Sequence, residues 1–153
     1  MDQKYPEPTV GALIVNKHGK ILLVRSHKWV NGRLTVPGGH IELGESAADA
    51  IIREVKEETG LEILPSKLLM VQEAIYSDDF FKKKHFIFFD FVCQALSEEV
   101  KLDQDELQEY DWYDVDEVEE SVLEPYTRNL IATYRRNSTS GPDSIYPSFD
   151  NNR

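Results

Sequence analysis

Apolar and polar positions along the chain predict a single domain built of strands and two helices. Two short apolar runs, residues 9–15 and 21–24, flank a polar turn that contains Gly19, a pattern typical of a β-hairpin. Residues 34–36 predict a short strand that ends at Pro37. Further strands are predicted at 68–75, 85–95 and 110–115, and a closing helix at 122–135.

The strand predicted at 85–95 is the most aromatic segment of the chain. It has four phenylalanines between positions 86 and 91, a density that predicts burial on both faces. Packing in the core is the favoured role for these rings, and lining a base-binding cleft is the alternative.

The first helix is predicted to begin after Ser46. Ser46 and Asp49 resemble a capping box, in which a short polar side chain satisfies free backbone N–H groups at the helix start. Gly60 is a natural C-cap, so the helix should end near Thr59. An apolar stripe at helical spacing supports the assignment and consists of Ala47, Ala48, Ile51, Ile52 and Val55.

Composition narrows the classes of function. The chain has 153 residues, the usual size of one domain, and we expect that domain to occupy residues 1–136, followed by a polar tail at 137–153. The formal net charge is −11. An acidic chain argues against a nucleic-acid partner and against an anionic membrane, because both require clustered Lys and Arg. If the substrate is itself anionic, a divalent metal would have to supply positive charge locally.

Cysteine content and hydropathy favour a cytoplasmic protein. Cys93 is the only cysteine, so no intrachain disulfide can form, and a reducing compartment is the simplest location. The first eight residues are polar and lack the apolar core of a secretion signal. No apolar run approaches the ~20 residues that span a bilayer. The oligomeric state stays open, a homodimer included.

Three carboxylates share one face of the predicted helix. Glu54, Glu57 and Glu58 stand at i, i+3 and i+4, so their side chains are neighbours and repel one another. A bound cation would remove this conflict. Hard oxygen ligands suit Mg²⁺, or Mn²⁺ as a substitute, better than Zn²⁺, which prefers His and Cys.

The segment 38–61 reads GGHIELGESAADAIIREVKEETGL and resembles the Nudix box. That motif is Gly, five residues, Glu, seven residues, then Arg-Glu-aliphatic-any-Glu-Glu-any-Gly-aliphatic. The chain fits it at every position, namely Gly39, Glu45, Arg53, Glu54, Val55, Glu57, Glu58, Gly60 and Leu61. On these residues the chain is identified as a MutT-like member of the Nudix hydrolase family. The resemblance implies an α/β (α+β) fold in which a mixed β-sheet is sandwiched between helices.

The resemblance also implies a metal site. Glu54, Glu57 and Glu58 would bind Mg²⁺, with help from the carbonyl of Gly38. Water would then attack phosphorus, and the metal would stabilise charge on the leaving phosphate.

Four further residues of the motif would support that site. Arg53 and Glu45 would pair and orient the carboxylates. Gly39 and Gly60 would permit tight backbone turns.

The resemblance to MutT-like proteins implies one more carboxylate, from a loop just before a late strand that contains a tryptophan. Trp112 is such a tryptophan, and Glu106 holds the matching position, with Glu109 as the competing candidate. Either Glu54 or the loop glutamate would take the proton of the attacking water.

Candidate substrate contacts lie outside the motif. Arg25, Trp29 and Arg33 stand in or near the loop before the motif, where the indole ring could stack on a base and the cations could hold phosphate; a solvated loop is the alternative. Tyr76 stands fifteen residues after the motif, where ADP-ribose enzymes often have proline and near where diadenosine enzymes often have tyrosine.

Three functions compete at this point. A MutT-like hydrolase would convert a nucleoside triphosphate to a monophosphate and pyrophosphate, and it is the favoured one. ADP-ribose, nucleotide-sugar or dinucleoside polyphosphate cleavage is the second. A non-catalytic nucleotide-binding module is the third, and the intact motif argues against it.

Overall fold

The computed structural model describes residues 3–137, so the polar segment predicted at 137–153 lies outside the described residues except for Asn137. The strands and helices are β1 Glu7–Val15, β2 Ile21–Arg25, β3 Leu34–Thr35, β4 Gly38–His40, α1 Ala47–Thr59, β5 Ile63–Ile75, β6 His85–Ala95, β7 Glu109–Tyr113 and α2 Pro125–Asn137. None of the helices in this range is long and apolar enough to cross a membrane.

The strands form one mixed sheet of order β3-β2-β1-β6-β5, in which β4 also pairs with β1 and β7 with β2. β1 and β6 run parallel, and the other pairs are antiparallel. One edge of β1 pairs with β6 along all nine residues. The other edge is divided, because Val15 pairs with Ile21 of β2 while residues 9–11 pair with β4. β2 and β4 thus share the same edge of β1, one at each end of the strand.

Two hydrophobic cores lie on opposite faces of the sheet, as expected for central strands whose side chains alternate. Alternate residues of β1 and β2 point to each core. The core under α1 contains Val10, Ala12, Ile14, Leu22, Val24, Ala50, Ile51, Val55, Phe91 and Cys93. The core under α2 contains Leu13, Ile21, Leu23, Leu34, Leu123, Leu130 and Ile131. The predicted fold, a mixed sheet between helices, is thus confirmed.

Local signals in the sequence explain the first helix and the hairpin. Ser46 Oγ accepts a hydrogen bond from Asp49 N at 3.1 Å, and Gly60 ends α1 with a positive φ of 74°. In the hairpin turn, Asn16 Oδ1 accepts from the backbone N–H groups of His18 and Lys20, both at 2.9 Å. Both predicted elements are confirmed.

Two predicted starting residues are wrong by three positions or more, and the other predicted boundaries lie within two residues of those observed. β5 begins at Ile63 rather than at residue 68, because bulges at Pro65 and near Leu68 disturb the alternation without ending the strand. α2 begins at Pro125 rather than at residue 122. The Glu124 side chain accepts hydrogen bonds from the first free N–H groups of that helix, a capping role that the apolar pattern does not reveal.

Candidate active site

The acidic helix lies against a strand made almost entirely of glycine. Glu58, only 7 % exposed, accepts a hydrogen bond from Gly38 N on β4 at 2.9 Å. A Cβ on Gly38 would lie 2.0 Å from Val10 O of β1, so only glycine lets β4 approach β1 there. The backbone N–H that holds Glu58 is therefore positioned by a glycine-dependent strand contact.

Gly39 makes room for a second carboxylate. A Cβ on Gly39 would lie 2.2–2.5 Å from the carboxyl atoms of Glu54. Its backbone belongs to β4, so the tight turn expected at Gly39 is not its role. Gly60 does have the expected left-handed conformation.

Arg53 is the centre of an ion-pair network on α1. Its Nε and Nη2 donate to the two oxygens of Glu45 at 2.9 and 2.7 Å, and Nη2 also donates to His40 O at 2.9 Å. Nη1 reaches Glu54 at 3.0 Å and Glu57 at 3.2 Å. These bonds lower the pKa of Glu45 and raise that of Arg53 above its usual range. Arg53 thus fixes two of the motif glutamates and is itself fixed by a third.

The two loop glutamates face different partners. Glu106 Oε2 forms an ion pair with Lys28 Nζ at 3.1 Å, and both residues line the same cavity as Glu58. Glu109 lies on β7 and pairs with Arg25 at 3.3 Å. Of the two candidates, Glu106 is therefore the one beside Glu58.

The carboxylates are close enough to oppose ionisation of one another. Burial, with the charges of Glu54 and Glu106, raises the pKa of Glu58 to about 8. Burial, with the charges of Glu57 and Glu106, also raises the pKa of Glu54. The site thus concentrates negative charge that its surroundings only partly neutralise.

A divalent cation fits this donor set by its chemistry. Within residues 3–137 no three His, Cys, Asp or Glu side chains converge on one point as metal ligands do. Two basic side chains instead form ion pairs with three of the carboxylates, Lys28 with Glu106 and Arg53 with Glu54 and Glu57. The donors are nevertheless all oxygens, which suit Mg²⁺, and the mutual repulsion that raises the pKa of Glu54 and Glu58 is what a cation relieves.

A cavity of about 130 Å³ runs from the acidic cluster into the sheet. One end is lined by Glu58, Glu106 and Lys28. The other end, which we name the aromatic cage, is lined by five rings, those of Trp29, Phe80, Phe86, Phe88 and Tyr126. A charged end and an apolar end in one cleft suit a ligand that has a phosphate group and a flat ring.

Polar side chains line the cavity beside the cage. Asp90 of β6 is 4 % exposed and accepts a hydrogen bond from Gln72 Nε2 at 2.8 Å. Burial, together with the charge of Glu124, raises the pKa of Asp90 to about 7. Glu124 also lines the cavity, and burial raises its pKa as well.

Of the four predicted substrate contacts, the structure brings Trp29 to the cavity. Arg25 and Arg33 line a separate surface depression, where Arg25 Nη1 donates to Gly32 O at 2.8 Å and Arg33 lies 3.7 Å from Asp79. Tyr76 is 52 % exposed and does not line the cavity that contains Glu58 and Trp29.

The sequence pattern predicted no role for Asp90 or Gln72, and it favoured core packing for two rings of the cage, Phe86 and Phe88. Phe86 and Phe88 face the cavity, while Phe91 packs in the core under α1. A signal for Asp90 was present, since it is the one charged residue in the run HFIFFDFVC apart from the terminal histidine. A buried carboxylate there needs a partner or a function.

The chain is similar in sequence to known proteins. The family model described as NUDIX domain matches residues 5–134. An ADP-ribose pyrophosphatase of Methanocaldococcus jannaschii is 32% identical over 122 residues, which cover 75% of this chain and 70% of that protein. The NAD-capped RNA hydrolase NudC of Pseudomonas aeruginosa is 24% identical over 146 residues, which cover 94% of this chain but only 50% of that protein.

Solved structures give the same result. A NUDIX hydrolase from Nitrosomonas europaea superposes with a TM-score of 0.76 at 29% identity, over 96% of this chain and 99% of that one. A MutT NUDIX hydrolase from Burkholderia pseudomallei superposes with a TM-score of 0.73 at 26% identity, over 85% and 98%.

Proposed function

Because this chain belongs to the Nudix family of hydrolases that act on nucleotide anhydrides, we propose that it cleaves the diphosphate linkage of a nucleoside triphosphate, releasing a nucleoside monophosphate and pyrophosphate. The observation that carries this proposal is the single cavity with an acidic end at Glu58 and Glu106 and an aromatic end. Such a cleft suits a nucleotide in shape, and a cation bound at the acidic end would make it suit the phosphates in charge.

A divalent metal is part of the proposal. Glu54, Glu57 and Glu58 would hold Mg²⁺ or Mn²⁺, with Glu106 and the Gly38 carbonyl as further oxygen donors. When bound, the cation supplies charge neutralisation of the phosphates and activation of water.

The side chains of the chain have separate roles. Arg53 orients Glu54 and Glu57 through the bonds it donates to them. Lys28 is the cation of the acidic end, and it contacts a substrate phosphate once that phosphate replaces Glu106 as its partner.

The reaction is a substitution at phosphorus. An oxygen of water forms a new bond to one phosphorus of the linkage, the bond from that phosphorus to the bridging oxygen breaks, and the leaving phosphate keeps the bonding electrons. A carboxylate, Glu54 or Glu106, takes the proton of the water. Separate Glu54→Gln and Glu106→Gln variants identify which one. The rate should rise with pH as the general base loses its proton, and only the variant that lacks the base should lose this rise.

A second candidate is cleavage of ADP-ribose. It is favoured by the name of the Methanocaldococcus jannaschii relative, which is 32% identical to this chain. Both substrates share a nucleoside diphosphate portion, so the acidic end would serve either.

The test is a substrate panel with product identification. The purified chain is incubated with Mg²⁺ and nucleoside triphosphates, ADP-ribose, nucleotide sugars and diadenosine polyphosphates in ¹⁸O-labelled water, and products are separated and weighed by mass spectrometry. We expect a nucleoside monophosphate and pyrophosphate, with one ¹⁸O in one of the two products and no turnover in EDTA. Turnover of ADP-ribose but of no triphosphate would replace the first candidate by the second. Failure of every compound despite demonstrated Mg²⁺ binding would overturn hydrolysis.

A further inference from the structure

We propose that four lysines beside the cavity form a binding site for a phosphate group that the substrate has in addition to its cleaved diphosphate linkage. These residues, Lys4, Lys82, Lys83 and Lys84, line one surface depression of about 720 Å³, which we name the lysine site. The inference rests on the proposed function, because the cleaved linkage of the same compound would lie at the acidic end of the cavity.

Positive charge is in excess at the lysine site. Among the described residues that line it, one glutamate, Glu7, stands against four lysines. Lys83 and Lys84 each form an ion pair with a carboxylate. In the part of the chain that the structure describes, Lys4 and Lys82 have no such partner. In a chain with a net charge of −11, this local excess of cations attracts an anionic group.

Hydrogen bonds to the backbone hold the lysine site in place. Tyr76 N donates to Lys84 O at 3.0 Å, which closes the loop that contains the lysine run. Gln3 Nε2 donates to His85 O at 2.8 Å, and Gln3 Oε1 accepts from His85 N at 3.0 Å. These two bonds fix the segment that contains Lys4 beside the end of the lysine run. The backbone of the site is therefore ordered before a ligand binds, which reduces the entropy cost of binding.

The lysine site and the cavity are separated by a single side chain. Glu7 lines the lysine site, and its Oε1 lies 3.1 Å from Nε2 of His40, which lines the cavity. Along β1, Pro8 lines the lysine site and the next residue, Thr9, lines the cavity. A compound that occupies the cavity can therefore extend into the lysine site.

The lysine site suits phosphate by charge and selects little by shape. Ammonium groups on flexible side chains are point charges that bind phosphate oxygens in many orientations. The depression is also larger than the cavity, at about 720 Å³ against about 130 Å³. The cleaved linkage itself belongs elsewhere, because none of the glutamates proposed to hold the metal lines the lysine site. The ligand of the lysine site is therefore a further phosphate of the substrate.

The first experiment measures anion binding without catalysis. The full chain, in EDTA and at low ionic strength, is titrated calorimetrically with inorganic tripolyphosphate. We expect binding that weakens as salt is added, because the contacts join exposed charges. If tripolyphosphate does not bind at millimolar concentration, the inference is wrong.

Paired variants locate the bound anion. Lys82→Gln/Lys83→Gln should weaken tripolyphosphate binding by at least about 10-fold, since it removes two of the four ammonium groups. Lys17→Gln/Lys20→Gln is the matched control, because it removes the same charge from the hairpin turn at the other end of β1, where Lys17 pairs with Glu98. It should leave the affinity nearly unchanged. Equal affinities in the two double variants would mean that net charge alone attracts the anion, and would contradict the site.

The second experiment connects the lysine site with the substrate. In Mg²⁺, KM is compared for the compound that the substrate panel identifies and for the same compound with a phosphate added at the ribose 2′ or 3′ position. We expect at least one derivative to have a KM about 10-fold lower, and only Lys82→Gln/Lys83→Gln, not the control, to remove that advantage. If neither derivative has a lower KM, the lysine site serves a separate anion and the proposed contact with the substrate is wrong.

The two proposals fail in different ways. Suppose that adenosine 2′,5′- or 3′,5′-bisphosphate binds more tightly than AMP in EDTA, that this preference requires Lys82 and Lys83, and that no compound is hydrolysed. That result keeps the lysine site and removes the hydrolase proposal. Hydrolysis with a KM that neither the added phosphates nor the lysine substitutions change removes the lysine site and keeps the hydrolase.

Discussion

Among the three glutamates of α1, Glu57 is the one whose loss should affect chemistry without affecting folding. Its side chain is 58% exposed, and Arg53 is its ion-pair partner. An exposed pair of this kind contributes little to stability. We expect Glu57→Gln to lower kcat by about 10²- to 10⁴-fold, the effect of losing several kcal/mol of metal-derived stabilisation. Rate assays and thermal melts on the same sample check the loss of kcat and the unchanged stability.

Glu62→Gln is the matched control for that variant. Glu62 follows the same helix, is 56% exposed and pairs with Lys56 at 2.8 Å, away from the cavity. It should keep wild-type kcat. A Glu57→Gln enzyme with a near wild-type rate would falsify the assignment of Glu57 as a metal ligand.

Alanine substitutions at two glycines of the motif region should affect different properties, activity at Gly39 and stability at Gly44. In Gly39→Ala the new methyl group meets the Glu54 carboxyl at 2.2–2.5 Å, so Glu54 must move and activity should fall at least about 10-fold. Gly44 has a φ of 83° and open space around it, so Gly44→Ala should cost about 1 kcal/mol of stability and leave kcat unchanged. Chemical denaturation and steady-state kinetics of both variants distinguish contact from backbone strain. Equal losses of activity would contradict this division.

At the scale of elements, helix α1 could be predicted almost completely because its signals are local. The cap at Ser46, the apolar stripe and Gly60 all act within one helix length, and the glutamate spacing follows from helical geometry. The aromatic end of the cavity could not be predicted, because Asp90 and Phe88 come to line it only when β6 pairs with β1 and α2 covers that face. Parallel pairing joins segments about eighty residues apart, and no local pattern encodes it.

The cap of α1 offers a test of how far helix stability and activity are coupled. Ser46→Ala removes the acceptor for Asp49 N and should lower the free energy of unfolding by about 1 kcal/mol. Ser46→Asp keeps an acceptor and adds a charge that favours a helix N-terminus, so it should retain stability. Because the glutamates lie in the later turns of the helix, both variants should keep kcat within about twofold. Urea denaturation with parallel rate measurements checks this, and a large loss of kcat in Ser46→Ala would mean that the helix start also positions the site.

At the scale of the whole molecule, the distribution of charge matters more than its sum. The chain has a net charge of −11, yet three of its acidic side chains, Glu58, Asp90 and Glu124, are buried, and burial raises the pKa of each. Groups of this kind favour the folded state when they are protonated. These buried groups therefore make the free energy of unfolding of the metal-free protein fall as pH rises, whereas an exposed, ion-paired carboxylate would make it rise.

Asp90 gives this response a measurable form. Its pKa is about 7 in the folded chain against 3.8 for an ordinary aspartate, so between pH 4 and 7 the folded state binds more protons than the unfolded state. The free energy of unfolding must then fall as pH rises through that window, because its slope with pH follows the protons bound by the unfolded state minus those bound by the folded state. Urea denaturation in EDTA measures this effect. From pH 4 to pH 8 the free energy of unfolding of the wild type should fall, relative to that of Asp90→Asn, by on the order of a few kcal/mol. The opposite trend, or parallel curves, would mean that Asp90 is ionised in the folded protein across the range.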